Sequence, residues 1–112
     1  MFNAQDAQKL VGAYYRKGEA ASQEWVVKHL ESAISGVQEA AKHGASEFNY
    51  EIYMDRDTYK PVKKKLLMYA IARLGFKVHI SETHKREGAV VKYTTYEISW
   101  SVADSYGLNR GR

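Results

Sequence analysis

Glu47-Phe48-Asn49-Tyr50-Glu51-Ile52-Tyr53-Met54 is the stretch on which the fold turns. Phe48, Tyr50, Ile52 and Met54 alternate with Glu47, Asn49, Glu51 and Tyr53. That two-residue period belongs to a strand with one buried face. Upstream of it the apolar residues recur at the helical period, and downstream helix and strand patterns alternate. The chain therefore changes secondary-structure type near residue 47, which makes it α+β.

Upstream, Asn3 is placed to cap a first helix, with Asp6 completing a weak capping box. Ala4, Ala7, Leu10, Val11, Tyr14 and Tyr15 share one side of it. Lys17 followed by Gly18 reads as a stop, giving a helix over 4–17. Ser22 reads as the cap of a second helix over 22–43. There Val27, Leu30, Ile34, Val37 and Ala41 form an apolar seam, and Glu24 faces Lys28 one turn on. Two helices joined by a short Gly-containing link predict an antiparallel helical hairpin.

Downstream, Asp55-Arg56-Asp57-Thr58 reads as a turn, and Pro61 suits a first helical turn, where a missing N–H costs little. Val62, Leu66, Leu67, Ala70, Ile71 and Leu74 predict a helix over 61–74, stopped by Gly75. Phe76, Val78 and Ile80 predict a strand over 76–82. Residues 82–89 read as a polar hairpin loop. A last strand follows over 90–100, with Tyr96, Ile98 and Trp100 on one face and Val91, Tyr93 and Thr95 on the other. Residues 101–112 read as a flexible C-terminal tail. The expected product is a single α+β domain over 1–100. It has an N-terminal helical hairpin, then a β-α-β-β unit forming a small three-stranded mixed sheet with helices on one face.

Composition bounds the function. A chain of 112 residues holds one domain, and 45% apolar residues suffice for a core. The absence of Cys excludes disulfide scaffolds, Cys-ligated metals and thiol catalysis. The longest apolar run, Leu66 to Ala72, is far short of a membrane span. No signal-peptide pattern opens the chain, so a soluble cytoplasmic protein with no membrane partner is expected. There is no Gly-rich phosphate loop, G-x-S-x-G or H-E-x-x-H, so no catalytic residue, cofactor or metal is assigned and the chain is not expected to be an enzyme. Asp55, Asp57 and Glu82, with His84 near, have the oxygen chemistry magnesium prefers. They lack a nuclease-type motif, however, and Asp57 is placed to serve a helix start.

The net charge of +4 is unevenly spread. Residues 1–57 hold six Lys/Arg against nine Asp/Glu, a net −3, and residues 58–112 hold eleven against four, a net +7. Lys60, Lys63, Lys64, Lys65 and Arg73 gather on the third helix, and Lys85 and Arg86 at the hairpin tip. A cluster of this kind suits phosphate contact or a plain solvated face. The sheet face turned away from the helices is expected to show Tyr53, His79, Tyr93 and Thr95, residue types suited to a protein interface.

The helix ending in Leu74-Gly75-Phe76-Lys77-Val78, with the closing strand Tyr93-Thr94-Thr95-Tyr96-Glu97-Ile98-Ser99-Trp100, resembles small accessory proteins encoded by tailed bacteriophages. The similarity spans roughly residues 26–100. It implies a functionally mixed group of host-takeover factors, anti-defence proteins and minor virion parts in the bacterial cytoplasm, and it carries over no site residue. The expectation is a phage accessory protein that binds a host or viral macromolecule, a protein partner first, through surface patches, with homo-oligomerisation through the helical hairpin or the sheet face. The alternatives are a nucleic-acid-binding module using the basic helix and hairpin tip, and a minor virion or assembly component.

Overall fold

The computed structural model describes residues 1–54, 57–87 and 89–101, with 83–87 and 89–92 described as backbone only. In chain order its elements are α1 (Ala4–Lys42), β1 (Glu47–Tyr53), α2 (Lys60–Arg73), β2 (Lys77–Glu87) and β3 (Ala89–Ser99). The α+β class and the β-α-β-β order are as the sequence predicts.

The expected helical hairpin is instead one helix. α1 runs unbroken for 39 residues, about 58 Å at 1.5 Å per residue. The Asn3–Asp6 capping box starts it, with both reciprocal hydrogen bonds formed. The two residues that read as punctuation, Gly18 and Ser22, are buried inside it. A Cβ on Gly18 would lie 2.9 Å from Val62 Cγ2 and 3.0 Å from Tyr59 Cδ1. Gly18 is therefore the site where the start of α2 closes onto α1, and its missing side chain makes room for that contact. The Ser22 hydroxyl donates back to the Gly18 carbonyl, so it satisfies itself within the helix and caps nothing. Gly36 works similarly under the ring of Phe48, which a Cβ there would overlap. Helix-forming residues fill the stretch between, and tertiary contact decides in favour of continuity.

The sheet differs from the mixed one expected. Its order is β1-β3-β2, and both ladders are antiparallel, so it is not mixed. β3 returns from β2 by a hairpin and takes the central place; β1 and β2 run the same way but never touch. The segment 82–89, expected as a loop, is largely strand, because β2 continues to Glu87 and pairs with the start of β3 at Ala89. The tail expected over 101–112 lies outside the described residues beyond Ser101.

Both helices lie on one face of the sheet, α1 beside β1 and α2 beside β2. The core joins Ala33 and Val37 of α1, Ile52 of β1 and the adjoining Met54, Leu67 and Ile71 of α2, and Tyr96 and Ile98 of β3. Gly75, at φ 95°, makes the left-handed exit from α2 that the sequence signals. Phe76 then meets Trp100 edge-on, with ring centroids 6.1 Å apart.

Candidate functional site

Four lysines fall in the first two turns of α2, where positive charge opposes the helix dipole. The fold resolves the conflict with carboxylates. Lys63 Nζ donates to Asp57 Oδ2 at 2.9 Å, while Asp57 Oδ1 accepts the Tyr59 backbone N–H at 2.9 Å. Lys64 and Lys60 reach across to Glu82 on β2, at 2.7 and 3.5 Å. Burial opposes ionisation of Glu82, but the hydrogen bond and charge of Lys64, with the charge of Lys60, outweigh it and hold the carboxyl below its usual range. Thr94 Oγ1 donates to the same carboxylate. Lys63 also lies 5.5 Å from the centre of the Trp25 ring. Lys60, Lys63 and Lys64 thus stitch α2 to the sheet and to α1. Lys65 and Arg73 are exposed. The side chains of Lys85 and Arg86 lie outside the described residues.

The open sheet face is placed as expected. Tyr53, 56% exposed, meets Tyr93 edge-on at 5.9 Å between centroids. His79 Nε2 lies 3.8 Å from Glu97 Oε2. Thr95 is the exception. It is on this face but only 6% exposed, because it sits on the central strand between Glu51 and Ser81. Thr95 is therefore largely covered by its neighbours, and a shallow polar depression on the molecule is lined by Glu47, Asn49, His79 and Glu97.

Of the carboxylates weighed for magnesium, Asp55 lies outside the described residues, as does the side chain of His84. Asp57 and Glu82 are each held by lysine. Among the described residues no three His, Asp or Glu side chains gather into a cation site. Nor is any described helix long and apolar enough to cross a membrane.

A polar cluster that sequence reasoning did not find lies between α1 and β1. His29 Nδ1 is 2.8 Å from the Tyr50 hydroxyl, and its imidazole lies 4.5 Å from the Trp25 ring centroid. Burial, then the charges of Lys28 and Lys63, pushes the His29 pKa down. Neutral His29 is thus favoured in the fold, while the unfolded chain takes up its proton near the ordinary value of about 6.5. Stability should therefore fall as pH drops from just above that value through the lower, folded pKa, and should level off beneath it. Urea midpoints measured from pH 8 to pH 5 should show this decline, and His29→Gln should flatten it. An unchanged slope in the variant would assign the effect elsewhere.

Exposed apolar residues gather at the start of α1. Tyr14 is where α1 meets the approach to α2: its hydroxyl donates to Thr58 O at 2.9 Å, and its ring lies 5.4 Å from Tyr59. Ahead of it, Leu10 and Val11 are 63% and 55% exposed, and Met1 and Phe2 are more open still. Of the nine exposed large hydrophobics among the described residues, five fall within the first fifteen positions. Helical spacing places Ala4, Ala7 and Val11 on the line that carries Gly18 and Ser22 further along, so the stripe that α2 covers in the body continues past it uncovered.

No family model, curated protein or solved structure matches this chain.

Proposed function

We infer that this chain is a non-enzymatic binding protein, a phage accessory factor that engages a host or viral protein in the bacterial cytoplasm, with the free N-terminal turns of α1 as its docking element. The observation that carries the reading is the stripe of Ala4, Ala7 and exposed Val11, in line with the buried seam of the same helix, with exposed Leu10 at its flank. An amphipathic helix offering small and apolar residues at helical spacing fits the groove of a partner protein. A helix end standing clear of the body is also marginal by itself, so a partner that covers the stripe gains from ordering it. By contrast, three of the lysines that could meet phosphate are already paired with carboxylates.

The test is the double variant Leu10→Glu, Val11→Glu. Both side chains are mostly in water, so its unfolding free energy should stay within about 0.5 kcal/mol of the parent. In affinity capture from host lysate treated with nuclease, the parent should retain a protein that the variant loses. Equal capture by both would overturn the assignment to α1. Capture that disappears with nuclease would return the chain to the nucleic-acid reading, with Lys65 and Arg73 as the first residues to replace.

A further inference from the structure

The sequence divides into a half of net −3 and a half of net +7, and the fold gives each half one edge of the sheet. The half with net −3 builds α1 and β1; the half with net +7 builds α2 and β2 and supplies the central β3. Because the sheet order is β1-β3-β2, β1 ends one side and β2 the other, and among the described residues each pairs only with β3. β1 brings Glu47 and Glu51 to one edge; β2 brings Lys77 and His79 to the other, its Glu82 being paired with Lys60 and Lys64. An edge strand presents N–H and C=O groups ready to pair with another chain.

The registers show what the two edges offer each other. Glu47 and Lys77 both lie opposite Ser99, and Asn49 and His79 both lie opposite Glu97. Glu47 and Lys77 therefore occupy one row at opposite edges, Asn49 and His79 another, and all four are exposed. On the helix-covered face the matching rows are Phe48 with Val78 and Tyr50 with Ile80, all half-buried and so with apolar surface left to cover. β1 and β2 also run in the same direction, so a sideways displacement of one copy, with no change of register, sets β2 beside the β1 of the next.

We propose that copies of this chain associate head to tail, the β2 edge of one pairing in parallel with the β1 edge of the next, with Lys77 beside Glu47 as the charge contact. The two-fold alternative at β1 is disfavoured: antiparallel pairing of β1 with its copy about Asn49 sets Glu47 opposite Glu51, and like charges across a ladder repel. A contact between two different edges does not close on itself as a two-fold dimer does, so it propagates into a ring or a filament. This surface is separate from the α1 stripe, and neither inference depends on the other.

Sedimentation velocity over a range of concentrations, at low and at high salt, tests the proposal on the full chain. The parent should show species beyond the dimer at low salt that shrink as salt screens the contact. Glu47→Lys alone and Lys77→Glu alone should each weaken association at least tenfold. Both replaced surfaces are exposed, so each variant should keep the parent circular dichroism spectrum. The double variant Glu47→Lys, Lys77→Glu should recover the parent behaviour, as should an equimolar mixture of the two single variants. A parent that stays monomeric at low salt and high concentration overturns the proposal and leaves the edges to an extended segment of another protein. Single variants that associate as the parent does, or a closed dimer with no larger species, overturn it as well.

Discussion

Gly18→Val is expected to lower the stability of the fold by about 1–3 kcal/mol, the usual cost of forcing methyl groups into a filled contact. The sign is the informative part. In the middle of an unencumbered helix, Gly is the poorest residue apart from Pro, and replacing it with Val is mildly favourable. Here the first added carbon already falls 2.9 Å from Val62 Cγ2, and Val62 is buried. The branches of Val reach further into the same space, so α2 must back away from α1. Tyr59 and Tyr14, which meet beside this contact, move with it. Equilibrium urea denaturation measures the loss. Val62→Ala in the Gly18→Val background should recover part of it, because the two positions share one contact and so couple. A stabilised Gly18→Val chain would mean that α2 does not close on α1 at this point.

The largest loss is expected at Tyr96. Its side chain is fully buried at the centre of β3, between Tyr50 and Ile80 in the sheet and under α2. Tyr96→Ala removes an aromatic ring from a site ringed by Leu67, Ile71, Ile52 and Ile98, and should cost about 3–5 kcal/mol. Tyr96→Phe separates the ring from the hydroxyl. That hydroxyl donates to the Lys64 carbonyl at 3.2 Å and ties the central strand to α2. Its loss should cost about 0.5–1.5 kcal/mol. Burial, with Glu82 and Tyr50 nearby, pushes the phenol pKa up, so the hydroxyl keeps its proton for this bond. Urea denaturation of both variants checks the order. If Tyr96→Phe cost as much as Tyr96→Ala, the hydrogen bond and not the ring would be holding this part of the core.

The candidate surfaces were partly legible in the chain. The run Lys63-Lys64-Lys65 is visible by eye, but its partners are not. Glu82 is 18 residues from Lys64 and 22 from Lys60, across a strand boundary. No periodicity links such positions, so a cluster that reads as free charge is in large part internal. The reverse holds at Leu10 and Val11. Their place in an apolar stripe is plain from spacing, and an apolar stripe reads as core. Only the position of α2, which begins opposite Tyr14 and Gly18, leaves the first turns uncovered. Alternation places Thr95 on the correct face, but its burial depends on which strand is central. His29 looks like a boundary residue until Tyr50 is brought to its imidazole from 21 residues away.

What the sequence determined by itself is whatever a few neighbouring residues decide among themselves. The period of Phe48, Tyr50, Ile52 and Met54 made a strand. Asn3 and Asp6 made a cap, and Gly75 made a left-handed exit, because each of these depends on backbone geometry within one turn. Tertiary structure decided the rest. Gly18 and Ser22 are compatible with a break and with a close helix contact, and the approach of Val62 selected the contact. Glu47 and Lys77 came to opposite edges in one row only when β3 entered between β1 and β2. The physical reason is the same in both cases. Local preferences amount to a fraction of a kcal/mol per residue, whereas burying a side chain between elements is worth about 1.5–3 kcal/mol, so contacts between distant residues prevail where the two disagree.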